Sequence, residues 1–352
     1  MGVKYRNRKN RRPRRRPLLL PVGLLALCGL FIARNSLPLA SPAPSPIRGL
    51  EVQPYSPENE AEEEEPLPED LPTGASVSEA VLPEAGKSVA AANVSPITID
   101  GGGGSYPGSG TIYIKNDTDY DIDIPGLLEQ PTNIAISSEE PAVLIVHTHG
   151  SEAYTPDAAN WYEPTDTDRT TDTNYNVVRV GDEIERILNE KGIKTVHARV
   201  LNDSPSYSGA YNRTLDVISQ AMKENPSIKF VIDVHRDAMI TSSGKKYKTV
   251  ADIGGRQAAQ LMLVAGTDAG GLTHDNWREN LSFMMKVQDQ MNTRYPGIMR
   301  PINIRAARFN EHVTTGSMLL EVGTSGNSLD EALYSASLFA DTLGDMLLQL
   351  QK

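Results

Sequence analysis

The chain has 352 residues, a formal net charge of -11, 39% hydrophobic residues, 24 prolines and 28 glycines, an apolar share low enough that part of it should lie outside any packed core. Beyond the extreme N-terminus no basic region remains to neutralise phosphates, which excludes nucleic acid as a partner. The single cysteine, Cys28, excludes a disulfide framework and a Cys-based zinc site within one chain.

Residues 4–16 are basic and end in Arg11-Arg-Pro-Arg-Arg-Arg16; residues 18–33 then carry no charge until Arg34. A helix over 18–33 spans about 24 Å, somewhat short of a ~30 Å hydrocarbon core. Two readings fit: a cleaved signal peptide, or an uncleaved anchor with snorkelling arginines. We take the second. It gives a basic cytoplasmic tail (1–17), a transmembrane anchor (18–33) and a single-pass cell-membrane protein whose remainder lies outside the cytoplasm. Residues 34–109 are rich in Pro, Glu and Gly, with an acidic run from Glu58 to Asp70 and the tract Gly101–Gly104. Such a composition cannot bury enough apolar surface to order itself and is expected to be a disordered tether.

Order is expected from about residue 110. Ile112, Ile114, Tyr120, Ile122 and Ile124 alternate with polar residues, as in two half-exposed strands joined by a turn at Asn116–Asp119. Strands and helices then alternate. Strands are expected over 143–146, 195–200, 229–234, 260–265, 302–306 and 317–322. Helices are expected over 177–191, closed by Gly192, then 215–224, 277–294 and 330–350. This alternation means an α/β fold: a mostly parallel twisted sheet with helices on both faces, in one catalytic-sized unit from 110 to 352.

The chemistry lies at strand ends. Val143-Leu-Ile-Val146 is an unalternating apolar run, as for a strand buried on both faces, and it leads into His147-Thr-His149-Gly-Ser-Glu152. Phe230-Val-Ile-Asp-Val-His235-Arg-Asp237 and Met318-Leu-Leu-Glu321-Val-Gly323 repeat the pattern. Carboxyl ends of strands are where α/β sheets bind ligands, so the three ends are expected to meet around a metal. Zinc takes neutral imidazoles and carboxylates from several elements and leaves a position open for water. His149 and His235 are the candidate ligands. His147 points to the same side one step deeper and reads as support, His197 as structural, and His274 and His312 as solvated loop residues. Asp172, Asn174, Asn176 and Glu152 are candidates for a third ligand, although any of the first three could simply cap the helix that follows. Glu321 interrupts an apolar strand. It either meets an arginine such as Arg305 or Arg308, or serves as the general base beside an activated water. Asp233 is structural or supports His235. Glu152, Arg236 and the loop aromatic Trp161, among Tyr154, Tyr162 and Tyr175, are the candidate substrate-binding residues.

Four ordered stretches together resemble the stage II sporulation protein P family: Val143–Tyr154, Asn176-Val-Val-Arg-Val-Gly-Asp-Glu183, Val231–Asp237 and Glu321-Val-Gly-Thr-Ser-Gly-Asn-Ser328. The similarity covers about residues 110–352, and the basic start, apolar segment and tether match the same layout. The resemblance implies a zinc-dependent N-acetylmuramoyl-L-alanine amidase fold acting on peptidoglycan, with endopeptidase activity on stem peptides as well. It also implies work at the membrane during engulfment of the forespore, together with stage II sporulation proteins D and M. Carried over by motif, it makes His149 and His235 zinc ligands and Glu321 the catalytic glutamate. The wider amidase family places a glutamate as middle ligand where this chain reads Thr173-Asn-Tyr-Asn176, so Asn176 is taken as the third ligand. Two other readings stand beside this one: a non-catalytic wall-binding scaffold, favoured by the missing carboxylate, and a zinc carboxypeptidase on stem peptides.

Overall fold

The computed structural model describes residues 93–102 and 104–352, together with the backbone of a two-residue strand, β1 (Ala75–Ser76). The expected tail and anchor, and most of the expected tether, lie outside the described residues. Among the described residues no helix is long and apolar enough to cross a membrane.

Chain order continues with β2 (Val94–Ile99), β3 (Gly108–Ser109), β4 (Ile112–Asn116), α1 (Ile124–Glu129), β5 (Val143–Val146), α2 (Val177–Glu190) and β6 (Thr195–His197). Then come α3 (Ala210–Glu224), β7 (Phe230–Asp237), β8 (Lys246–Ile253), β9 (Arg256–Ala259) and β10 (Leu261–Gly266). The chain closes with α4 (Trp277–Arg294), β11 (Ile302–Arg305), β12 (Gly316–Thr324) and α5 (Leu329–Leu348).

The main sheet has the order β3-β4-β11-β10-β12-β7-β5-β6. Most of its pairings are parallel, as expected, but β10 runs antiparallel to β12. The sheet is therefore mixed: β6, β5, β7 and β12 point one way, and β10, β11 and β4 the other. The cause is the short link. β9 runs straight into β10, and the link from β11 to β12 holds only the single 3-10 turn Glu311–Val313, so neither link is a full α-helical crossover. β5 stops at Val146, level with Asp233, while β7 and β12 run on past it, so the turn after β5 brings His149 beside His235, which pairs in register with Glu321.

Helices cover both faces. Val143 and Ile145 face the larger core with α2, α4 and α5, while Leu144 and Val146 face a smaller one with Val217, Ile218 and Ala221 of α3. All four β5 side chains are fully buried, each worth roughly 1.5–3 kcal/mol on transfer from water. That is why the run shows no alternation. α5 opens on a reciprocal capping box between Ser328 and Glu331.

Three expectations need correction. The second half-exposed strand does not form. Asp123 instead accepts the Gly126 N–H and caps α1, with Pro125 in its first turn, while Tyr120 and Ile122 pack on the core as extended chain. α3 starts earlier than 215, because Gly209 takes a left-handed conformation (φ 75°) and starts the helix at Ala210. Order also begins before 110. β2 lies in the stretch assigned to the tether, pairs parallel with β8 and buries Ile97 and Ile99. The Gln260 side chain clamps Ile99 by accepting its N–H (2.8 Å) and donating to its carbonyl (3.0 Å). β8 and β9 form a hairpin through Gly254-Gly255, both at positive φ, and complete a second sheet of order β1-β2-β8-β9.

Candidate metal centre

After β5 the chain turns, and this separates two histidines that were expected on one side. His147 goes to the α2 side, with Nδ1 2.9 Å from the Val234 carbonyl and Nε2 2.8 Å from Nε2 of His197. Burial, and next the charge of His197, push its pKa down to about 3. His149 goes to the α3 side. Its ring lies against His235 (centroids 5.0 Å), stacks on Tyr207 (4.3 Å) and meets the edge of Tyr211 (5.6 Å). Gly150 permits this turn. A Cβ there would stand 2.8 Å from Leu201 Cδ2 and 3.1 Å from its Cα, so any side chain would push away the loop that carries Tyr207.

His149, Glu152 and His235 form a buried group whose ligand atoms all lie within 4.8 Å of one another. Nδ1 of His149 is 3.5 Å from Glu152 Oε1, and Nδ1 of His235 is 3.5 Å from Glu152 Oε2. Two donors each ~2.0–2.1 Å from a tetrahedral zinc stand about 3.4 Å apart. Two imidazole nitrogens and a carboxylate at this spacing fit the ion.

The surroundings orient these groups. Asp233 stands one strand step before His235 on the same face, with Oδ1 3.1 Å from His235 Nε2. Asp233 is itself fixed by the Thr148 N–H (2.8 Å) and hydroxyl. A carboxylate at Nε2 keeps the proton there and leaves the Nδ1 lone pair for a metal. Burial works against the charged form of His235, yet Asp233 and Glu152 together hold its pKa well above the usual value. Burial likewise opposes ionisation of Glu152, but Arg236 and the two histidines keep its carboxyl well below the ordinary range. Asp233 and Glu152 thus favour positive charge at this place.

Glu321 is paired in register with His235 across the parallel β12–β7 ladder, so both side chains leave the same face of the sheet. It is half-buried. The expected trio of His149, His235 and Glu321 is thus brought to one edge.

Asn176 is not part of the group. It caps α2: its oxygen accepts the Val178 N–H (3.0 Å) and its amide donates to the Thr170 carbonyl (2.9 Å), which uses both ends of the side chain. The third member of the group is Glu152, one turn after His149. Arg236 does not face a cleft either. It is buried and donates to the carbonyls of Ala153 and Asp168, while its N–H donates to Glu152 Oε2. It latches the 153–168 loop to β7. Trp161 is 57% exposed in that loop, whereas Tyr154 and Tyr162 are buried, the Tyr162 hydroxyl donating to the Tyr154 carbonyl. His274 and His312 are buried or half-buried near one another rather than solvated, and burial pushes each down to about 4.

Two residues by the site gave no sequence signal. Arg169 bonds Asp203 (2.6 Å) and reaches to 3.6 Å from Glu152 Oε1. Tyr207 lies between Arg169 and His149, with the guanidinium 5.0 Å from its ring. Both come from irregular loops where neither periodicity nor spacing marks a position.

A curated relative, stage II sporulation protein P of Bacillus subtilis (strain 168), is 27% identical over 227 residues, covering 61% of this chain. The chain spans about half the length of that relative (53%). Similar solved structures include an N-acetylmuramyl-L-alanine amidase from Mycobacterium smegmatis (14% identity, 61% of this chain and 99% of that one, TM-score 0.36). Another is an N-acetylmuramoyl-L-alanine amidase of Nostoc punctiforme (12% identity, 60% and 97%, TM-score 0.34). Overlaps this loose say nothing of activity. The family model described as Stage II sporulation protein P matches residues 55–344, and the chain belongs to that family.

Proposed function

We propose that this chain is a zinc-dependent peptidoglycan hydrolase of sporulation, cleaving the N-acetylmuramoyl-L-alanine amide and also stem-peptide cross-links. The observation that supports this best is the convergence of His149, Glu152 and His235, with Asp233 at the far nitrogen of His235 and Glu321 beside it on the sheet face. His149, Glu152 and His235 would hold the ion, which when bound acidifies a water and polarises a carbonyl.

The protein's own groups do the rest. Glu321 accepts the proton of the attacking water and returns it to the departing amine nitrogen. The carbonyl carbon gains a hydroxyl, the C–N bond breaks, and the products are a carboxylic acid and an amine. Asp233 holds the His235 tautomer, and Arg236 fixes the backbone from which Glu152 projects. The exposed Trp161 offers an aromatic face to sugar or peptide. In the cell, residues 18–33 would anchor the protein, the acidic stretch would give it reach to the wall, and stage II sporulation proteins D and M would be its partners.

The scaffold reading drew on a missing middle carboxylate, a role that Glu152 would take. The test is a digest of purified peptidoglycan by the purified protein, with products identified by mass spectrometry. Amidase and cross-link products are expected, and both should vanish with chelator, in His149→Ala and in Glu321→Gln. Release untouched by chelator would end the zinc reading, and products lacking only a terminal residue would point to a carboxypeptidase.

A further inference from the structure

A second group lies on the other side of the sheet. Asp182 and Glu185 sit one turn apart on α2, and His197 ends β6; their ligand atoms also lie within 4.8 Å of one another. Nδ1 of His197 is 3.3 Å from Asp182 Oδ1 and 3.5 Å from Glu185 Oε2. The His197 side chain is fully buried, yet this nitrogen makes no hydrogen bond.

Its tautomer follows from its neighbours. The Val234 carbonyl can only accept, so Nδ1 of neutral His147 carries the hydrogen, and Nε2 of His147 is a lone pair. His197 Nε2 lies 2.8 Å from that lone pair and must donate to it. In neutral His197 the Nδ1 lone pair is therefore aimed between two carboxylate oxygens, an arrangement suited to a cation at its centre. Gly181 makes the histidine contact feasible, because a Cβ there would stand 2.7 Å from both Nε2 atoms. A ligating histidine whose other N–H is held by a fixed acceptor is the usual way a protein orients a metal ligand. The donor separations again match the roughly 3.4 Å between ligands of a tetrahedral ion.

We infer that Asp182, Glu185 and His197 form a second binding site for a divalent transition cation of the zinc or manganese type. One imidazole and two carboxylates favour such ions over magnesium or calcium. Arg199 bonds the same two carboxylates in its absence. Its Nε is 2.7 Å from Asp182 Oδ1, and its Nη2 reaches Glu185 Oε2. With its side chain 46% exposed, it can swing into solvent when an ion arrives. The bound ion would tie α2 to the edge strand β6 and, through His147, to the strand end that carries His149.

Zinc binding to the full chain, followed by calorimetry and by metal content after gel filtration, tests this. About two equivalents are expected for the wild type and about one for Asp182→Asn with Glu185→Gln. Arg199→Ala leaves all three ligands in place and removes the competing cation, so the second event should tighten by about tenfold. Magnesium should not compete. Equal stoichiometry in the wild type and the double variant would overturn the assignment. So would a second event unchanged in Arg199→Ala, a variant that keeps the test decisive if the double variant does not fold. Either result would mean that Arg199 and the two carboxylates make a plain ion-pair cluster.

Discussion

Asp233→Asn removes one charge from the candidate centre and changes almost no volume. The wild-type carboxylate accepts the Thr148 N–H at 2.8 Å and the Thr148 hydroxyl, and it faces His235 Nε2 at 3.1 Å. In the variant one acceptor oxygen remains, and the Thr148 N–H claims it. The amide NH2 then faces the hydroxyl, while the remaining neutral oxygen, shared between the Thr148 N–H and His235, is a weaker acceptor than the carboxylate and holds the imidazole proton on Nε2 less firmly. Loss of such an orienting carboxylate costs roughly 10–100-fold in metal affinity, or about 1.4–2.7 kcal/mol. Competition with a chromophoric chelator measures this directly, with thermal unfolding of the metal-free protein as the control for folding. A folded variant whose zinc affinity lies within about twofold of wild type would refute the orienting role. It would also weaken the case that His235 binds through Nδ1.

Zinc affinity should rise with pH through neutrality by up to about tenfold per unit, because the ion displaces the proton from His235, whose pKa is raised; titration at several pH values reads the slope. The metal-free protein carries the opposite dependence. The raised His235 stabilises below about pH 6.5 and this is lost as pH climbs through its folded pKa, while the lowered Glu152 and Asp233 stabilise above about pH 4.5 and lose that as pH falls; melting without metal should therefore be highest between those limits. Gly181→Ala would gain about 1 kcal/mol in an ordinary helix, but here the added Cβ meets the two histidines and the result should be a net loss of about 1–3 kcal/mol, read by denaturant unfolding. Trp161→Ala should change stability by less than about 0.5 kcal/mol and raise the KM for peptidoglycan with little change in kcat, if its exposed face meets the substrate.

The buried strand β5 was legible because all four of its side chains are apolar and both its faces are covered. His149 was legible for the same reason, since a polar residue after an apolar run marks where β5 stops, but β7 and β12 run on to Asp237 and Thr324, so His235 and Glu321 stood out as polar residues inside apolar strands rather than at their ends. What the one-dimensional pattern hid was direction. The turn after Val146 sends His147 and His149 to opposite faces, and period-two reasoning put them together. Glu152 was visible as a candidate, but a helix-capping asparagine stood at the family's expected position and drew the ligand assignment to itself. The β8–β9 hairpin had a signal in Gly254-Gly255 between two extended runs, whereas β2 had none. Pro96 and the nearby glycines read as linker, and β2 becomes a strand only because β8 provides a partner.

That partnership sets where the chain can be shortened. A version beginning at 110, the point where composition changes, would remove β2 and leave β8 as a bare edge with a row of unpaired N–H and carbonyl groups. It would also uncover Met239, which packs with Ile97 and Ile99, and release Gln260 from both its bonds to Ile99. An open, partly apolar edge of this kind invites self-association between copies. Loss of activity in such a shortened protein would report aggregation before it reported anything about the chemistry, and a start upstream of Asn93 avoids the confusion.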